Sequence, residues 1–147
     1  MSTERERAST AADSAPETAR GLLLEQTFDR AGLVSLRNAV AAHGATLGLP
    51  RETVEHLVLA AYELASNAVR HGGGRGRLWL SADDGVLRCV VRDDGPGLID
   101  PTQAGRVRPE PTASGGRGLW LVRCVASRLD LRTGEGGLTA IAEFPLS

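Results

Sequence analysis

Glu63-Leu64-Ala65-Ser66-Asn67-Ala68-Val69-Arg70-His71 closes a long helical pattern, and its reading decides the fold. Val54, Leu57, Val58, Ala61, Leu64, Ala65 and Ala68 form one apolar face at 3.6 residues per turn. Glu63, Asn67 and His71 follow at intervals of four, in a line on one side of the same helix. That line starts at the edge of the core face, so an acid, an amide and an imidazole can face a cleft. A carboxylate there can take a proton or order a water, and an Asn carbonyl is a hard oxygen suited to Mg²⁺. Read alone, the same residues also describe a solvated helix flank. The rest of the chain has to separate the two.

Working outward, Gly48 and Pro50 bound the helix on one side, giving a span of about Arg51 to His71. Gly72-Gly73-Gly74-Arg75-Gly76 ends it. Upstream, Leu33, Leu36, Val40 and Leu47 fit a helix over 33–47, preceded by a short strand over 22–28. Residues 1–20 have almost no large apolar side chain and are expected to be a disordered tail, leaving one domain over 21–147. Downstream, Arg77–Ala82 and Val86–Asp93 form a hairpin around Asp83-Asp84-Gly85. Leu87, Cys89 and Val91 alternate onto one face, and Asp93 is next on it. A buried acid in that position needs a donor partner, whereas an Asp93 beyond the strand end is an ordinary turn residue.

Asp93-Asp94-Gly95-Pro96-Gly97 is a tight turn whose backbone can pass close to a flat ligand. Residues 98–114 lack apolar periodicity and read as a lid or binding segment. Gly115-Gly116-Arg117-Gly118 then leads into a helix over 119–129, an arrangement that cradles phosphate with free N–H groups. A second hairpin over 130–133 and 138–144 closes the chain.

Composition narrows the function. Net charge is −1, so no basic field calls for nucleic acid. All 17 basic residues are arginine, which excludes a Walker-type phosphate loop and a Schiff-base lysine. No stretch approaches the roughly 20 apolar residues of a membrane span. Cys89 and Cys124 lie inside apolar runs and read as small core residues in a reducing compartment, which suggests the cytoplasm. His43 and His56 lack ligand-spaced neighbours and are assigned to the surface.

Taken in order, Glu63-x-x-x-Asn67 on a helix, Asp93-x-Gly95-x-Gly97 after a strand, an irregular loop, and Gly116-x-Gly118-Leu119 opening a helix resemble the ATP-binding domain shared by gyrase, MutL and histidine kinases. The resemblance covers about Leu22 to Leu146. It implies a two-layer α/β sandwich: a mixed, mainly antiparallel sheet with three helices on one face. It implies that Asp93 accepts from the adenine amino group, Asn67 holds Mg²⁺ against the phosphates, and Glu63 is the general base. Residues 98–114 become the ATP lid, and Gly116 and Gly118 meet the phosphates. His71, Gly95, Gly97, Arg117 and Leu119 join the nucleotide site, and Thr139 reaches adenine through water. The run Asn67 to Gly72 and the Gly116-Arg117-Gly118-Leu119 form look like the bacterial anti-sigma factors that are also serine-protein kinases. That implies two protein partners, a sigma factor and a small antagonist phosphorylated on serine, and allows a homodimer. Ser114 stands where the first glycine of the full phosphate box would begin. Two alternatives remain open at this stage: a nucleotide-binding regulator with little turnover, and a stand-alone kinase or ATPase domain serving another partner.

Overall fold

The long apolar face described above forms helix α2, Arg51–His71, and it buries Leu57, Ala60, Ala61, Leu64, Ala65, Ala68 and Val69. Alanines dominate this face, so neighbouring elements approach the helix backbone closely. Pro50 precedes the first turn and the Gly72 N–H bonds the Ala68 carbonyl at 2.8 Å, so both ends fall where proline and glycine punctuate the sequence. The computed structural model describes residues 21–95, 117–134 and 136–146.

Before α2 come β1 (Leu22–Asp29), a 3₁₀ turn (Arg30–Gly32) and α1 (Leu33–Thr46). Asp29 caps the turn by accepting the Gly32 N–H at 3.0 Å. Gly44 in α1 is buried; a Cβ there would stand 3.3 Å from Val54, so the glycine sets the α1–α2 spacing. After α2 come β2 (Arg75–Asp83), β3 (Val86–Asp93), α3 (Arg117–Val125), β4 (Arg128–Gly134) and β5 (Gly137–Pro145). Asp84 and Gly85 both take positive φ, 53° and 73°, as a two-residue hairpin turn between β2 and β3 requires.

The strands form one sheet in the order β1-β2-β3-β5-β4. All four pairings are antiparallel, so no parallel pair makes the described sheet mixed. One face carries Leu78, Leu80, Leu87, Cys89, Val91, Leu131, Leu138, Ala140 and Phe144 and packs with the helices in the main core. Each fully buried leucine there contributes about 1.5–3 kcal/mol relative to exposure. The other face holds a separate cluster of Trp79, Val90 and Ile141.

Two expectations are corrected here. The helix predicted over 119–129 spans Arg117–Val125, and β4 begins at Arg128 rather than 130. The Ser127 N–H and hydroxyl both donate to the Glu143 carbonyl, at 2.9 and 2.8 Å, which draws the chain into the sheet and puts Leu129 on its core face. Cys124 is exposed, while Cys89 is buried. On α3 the buried residues are Leu119 and Val122, and Cys124 lies about 200° around the helix from Val122. No helix among the described residues is long and apolar enough to cross a membrane.

Candidate functional site

The strand order puts the end of β3 beside the start of β5, and the end of α2 lies over both. Asp93 is at that junction, 5% exposed and on the core face of β3. Its Oδ1 accepts two backbone N–H bonds, from Gly95 at 2.8 Å and Leu138 at 3.2 Å. Burial pushes the Asp93 carboxyl above the usual carboxylate range, and the two N–H donors oppose that rise. With Oδ1 occupied, Oδ2 remains to accept from something else.

Glycines make the space around it. A Cβ on Gly72 would collide with Asp93 Cγ and Oδ2, and one on Gly137 would collide with the Asp93 carbonyl. A Cβ on Gly95 would run into the Gly72 backbone and come within 2.9 Å of the His71 carbonyl. Gly72, Gly95 and Gly137 therefore close around one buried carboxylate.

At the other end of the site, a Cβ on Gly118 would lie 2.7 Å from Glu63 Oε1. The first turn of α3 thus abuts the Glu63 carboxylate on α2. Glu63 and Asn67 are half-buried on successive turns, and neither side chain bonds another described residue. Nine residues of helix separate Glu63 from Gly72, about 13 Å at 1.5 Å per residue. Helix α2 therefore touches a buried acid at its C-terminal end and the start of α3 near its middle. Among the described residues no group of three His, Cys, Asp or Glu side chains is placed to hold a metal by itself.

The other residues expected in the site differ in exposure and in the face they occupy. His71 is exposed. Eight residues on a 3.6-residue helix rotate a side chain by about 80°, so the line from Glu63 to His71 drifts off the cleft. The Leu119 side chain is buried in the core, 6% exposed. Thr139 lies on the sheet face opposite Asp93, where Arg92 Nε donates to its hydroxyl at 3.3 Å. Leu138, one residue earlier, is the β5 residue that meets Asp93. Arg117 is exposed at the first position of α3. Gly97, Gly116 and the lid expected over 98–114 lie outside the described residues.

Sequence reasoning missed the roles of Gly72, Gly137 and Leu138. Gly137 had a faint signal, one glycine more than a short turn needs, and it takes φ 123°. Leu138 contributes a backbone N–H, which its residue type cannot announce.

A two-layer fold with a buried acid on β3, a half-buried acid and amide on the covering helix, and glycines at both contacts defines a class of nucleotide-binding ATPase domains. Residues 26–143 match the family described as histidine kinase-like ATPase domain, and the chain belongs to that family. Two curated relatives from Mycobacterium tuberculosis are each 34% identical over 94 residues, 62% of this chain. One is the sensor histidine kinase component HK1, of which the match covers 55%. The other is a probable sensor histidine kinase HK, of which it covers 24%. The chain thus spans about half or less of those proteins. Among solved structures, the RsbU and RsbW domains of Rv1364c from Mycobacterium tuberculosis superpose with a TM-score of 0.62 at 20% identity, over 84% of this chain and 31% of that one. That likeness is one of fold.

Proposed function

We propose that this domain binds ATP with Mg²⁺ and transfers the γ-phosphoryl group to a serine of a partner protein, as the kinase half of an anti-sigma switch. One observation carries the reading: α2 touches Asp93 through Gly72 and the start of α3 through Glu63, with Asn67 between. The spacing is on the scale of an extended nucleoside triphosphate. Asp93 Oδ2 accepts from the adenine amino group, while Gly95 and Leu138 hold Oδ1. The first-turn N–H groups of α3 meet the phosphates, where free donors and the helix dipole favour anions.

Glu63 takes the proton of the serine hydroxyl as that oxygen attacks the γ-phosphorus and ADP leaves. Asn67 would hold Mg²⁺, which would supply charge neutralisation on the phosphates. The half-buried Asn67 carbonyl and Glu63 carboxylate bond no other described residue, which leaves hard oxygens for such an ion beside phosphate and water. In this switch the domain holds a cytoplasmic sigma factor and phosphorylates the small antagonist that competes for it. The run from Asn67 to Gly72 supports that choice.

A second reading is favoured by the sensor histidine kinase relatives: the same site serving a phosphoaccepting histidine on another protein. Radiolabelled phosphotransfer to candidate antagonists, followed by acid treatment, tests both. An acid-stable phosphoserine supports the first reading and an acid-labile phosphohistidine the second. Loss of transfer in Asn67→Ala, together with loss of the Mg²⁺ dependence of ATP binding, supports the metal assignment; normal transfer in Mg²⁺ removes it.

A further inference from the structure

The sheet face turned away from the helices carries a row of directly paired residues, one from each strand: Thr27, Arg77, Arg92, Thr139 and Arg132. Arg77 and Arg92 stand opposite each other, where like charges repel. Arg77 reaches Glu25 at 2.8 Å. Arg92 meets no carboxylate among the described residues. Its Nε donates to Thr139 and its guanidinium lies 5.4 Å from the Trp79 ring centroid. At the end of this row the surface opens into a cavity of about 540 Å³, whose lining includes Thr27, Asp29, Arg75, Arg77, Arg92 and Asp94. Arg75, Arg77 and Arg92 line it with Asp29 and Asp94; Arg77 is taken up by Glu25, Arg75 stands opposite Asp29 on the neighbouring strand, and Arg92 is the guanidinium held by a hydroxyl and a ring face.

We propose that this cavity docks an oxyanion carried on a polypeptide: a glutamate, aspartate or phosphoserine side chain in an acidic segment of a partner protein. Guanidinium groups match carboxylate and phosphate geometry, and an arginine opposed by another arginine gains most from an anion between them. The volume accommodates several side chains, more than a single ion needs. The site is distinct from the nucleotide cleft, because Arg92 lies on the outer face of β3 while the buried Asp93, the next residue, points to the core. It therefore stands whether or not the domain transfers phosphate to serine.

The test is fluorescence anisotropy on the full chain with two labelled peptides. One carries a phosphoserine among glutamates; the other has serine and glutamine in their place. The acidic peptide is expected to bind, and to weaken steeply with salt. Arg75→Gln and Arg92→Gln should each weaken it roughly tenfold, the scale of one charge-assisted hydrogen bond. Arg88→Gln, on the same face but paired with Glu143 outside the cavity, should leave it unchanged. ATP affinity, measured alongside, should stay at the wild-type value in all three variants. Equal binding of the neutral peptide would overturn the proposal, as would no effect of Arg75→Gln, an exposed position with little bearing on folding. Inorganic phosphate should compete only weakly; phosphate binding as tightly as the peptide would make this a free-ion site and refute the polypeptide assignment.

Discussion

Gly72→Ala tests the site through a single methyl group. Gly72 has φ −113° and ψ 33°, which alanine can adopt, so the substitution probes space rather than backbone strain. The new Cβ would collide with Asp93 Cγ and Oδ2 and stand 2.7 Å from Asp93 Cβ. Asp93 is 5% exposed, so the carboxylate has little room to withdraw, and any movement weakens its bonds from Gly95 and Leu138. Overpacking of this kind costs about 1–3 kcal/mol. In a domain of this size each kcal/mol lowers Tm by roughly 2–4 °C, so the expected fall is roughly 2–12 °C. ATP affinity should drop about tenfold or more, because the displaced oxygen is the one left to read adenine. Differential scanning fluorimetry and calorimetric titration give the two readouts. Gly134→Ala is the control: nothing lies within 4 Å of its added methyl. Equal Tm and equal ATP affinity in the two variants would refute the claim that Gly72 makes room for Asp93.

Asp93→Asn should keep native circular dichroism and lose ATP affinity by roughly ten- to a hundredfold. Wild-type stability should vary with pH in a definite direction. Burial raises the folded-state pKa of Asp93, so the stability linked to its proton is present below the unfolded pKa and is lost as pH rises through the folded one. Tm measured across that range should show the wild type losing ground to Asp93→Asn as pH rises; the opposite trend would contradict the burial account. Wild-type ATP binding should weaken on acidification at a pH above the usual aspartate range, because adenine needs the ionised form. Glu63→Gln should bind ATP nearly as well as wild type yet lose about 10²–10⁴ in phosphotransfer rate, and full activity would make Glu63 a bystander. A thiol reagent should label one cysteine rapidly in the native protein and two after denaturation. Cys124 is exposed, while burial pushes the Cys89 thiol up to about 12.

The helix α2 was legible to the residue, because its apolar period is strong and glycine and proline mark both ends. The β2–β3 hairpin was legible from Asp84-Gly85 for the same reason. Asp93 stood between two readings, and the structure joins them: it is the last residue of β3 and is buried, with the following turn donating to it. Thr139 shows the limit of strand reading, since a one-residue difference moves a side chain to the other face. Leu138 and Gly137 approach Asp93 through backbone, which leaves little trace in residue type. The boundary between α3 and β4 was hidden because a short apolar run suits either element, and the Ser127–Glu143 contacts that decide it are non-local.

The central claim is that Asp93 reads the adenine amino group, and comparing ATP with inosine triphosphate tests it most directly. Inosine carries a carbonyl where adenine carries the amino group and is otherwise nearly the same shape. Calorimetric titrations in Mg²⁺ should show the wild type preferring ATP by roughly ten- to a hundredfold, and Asp93→Asn losing most of that preference. Equal affinity of the wild type for the two nucleotides, or an undiminished preference in Asp93→Asn, would contradict the account.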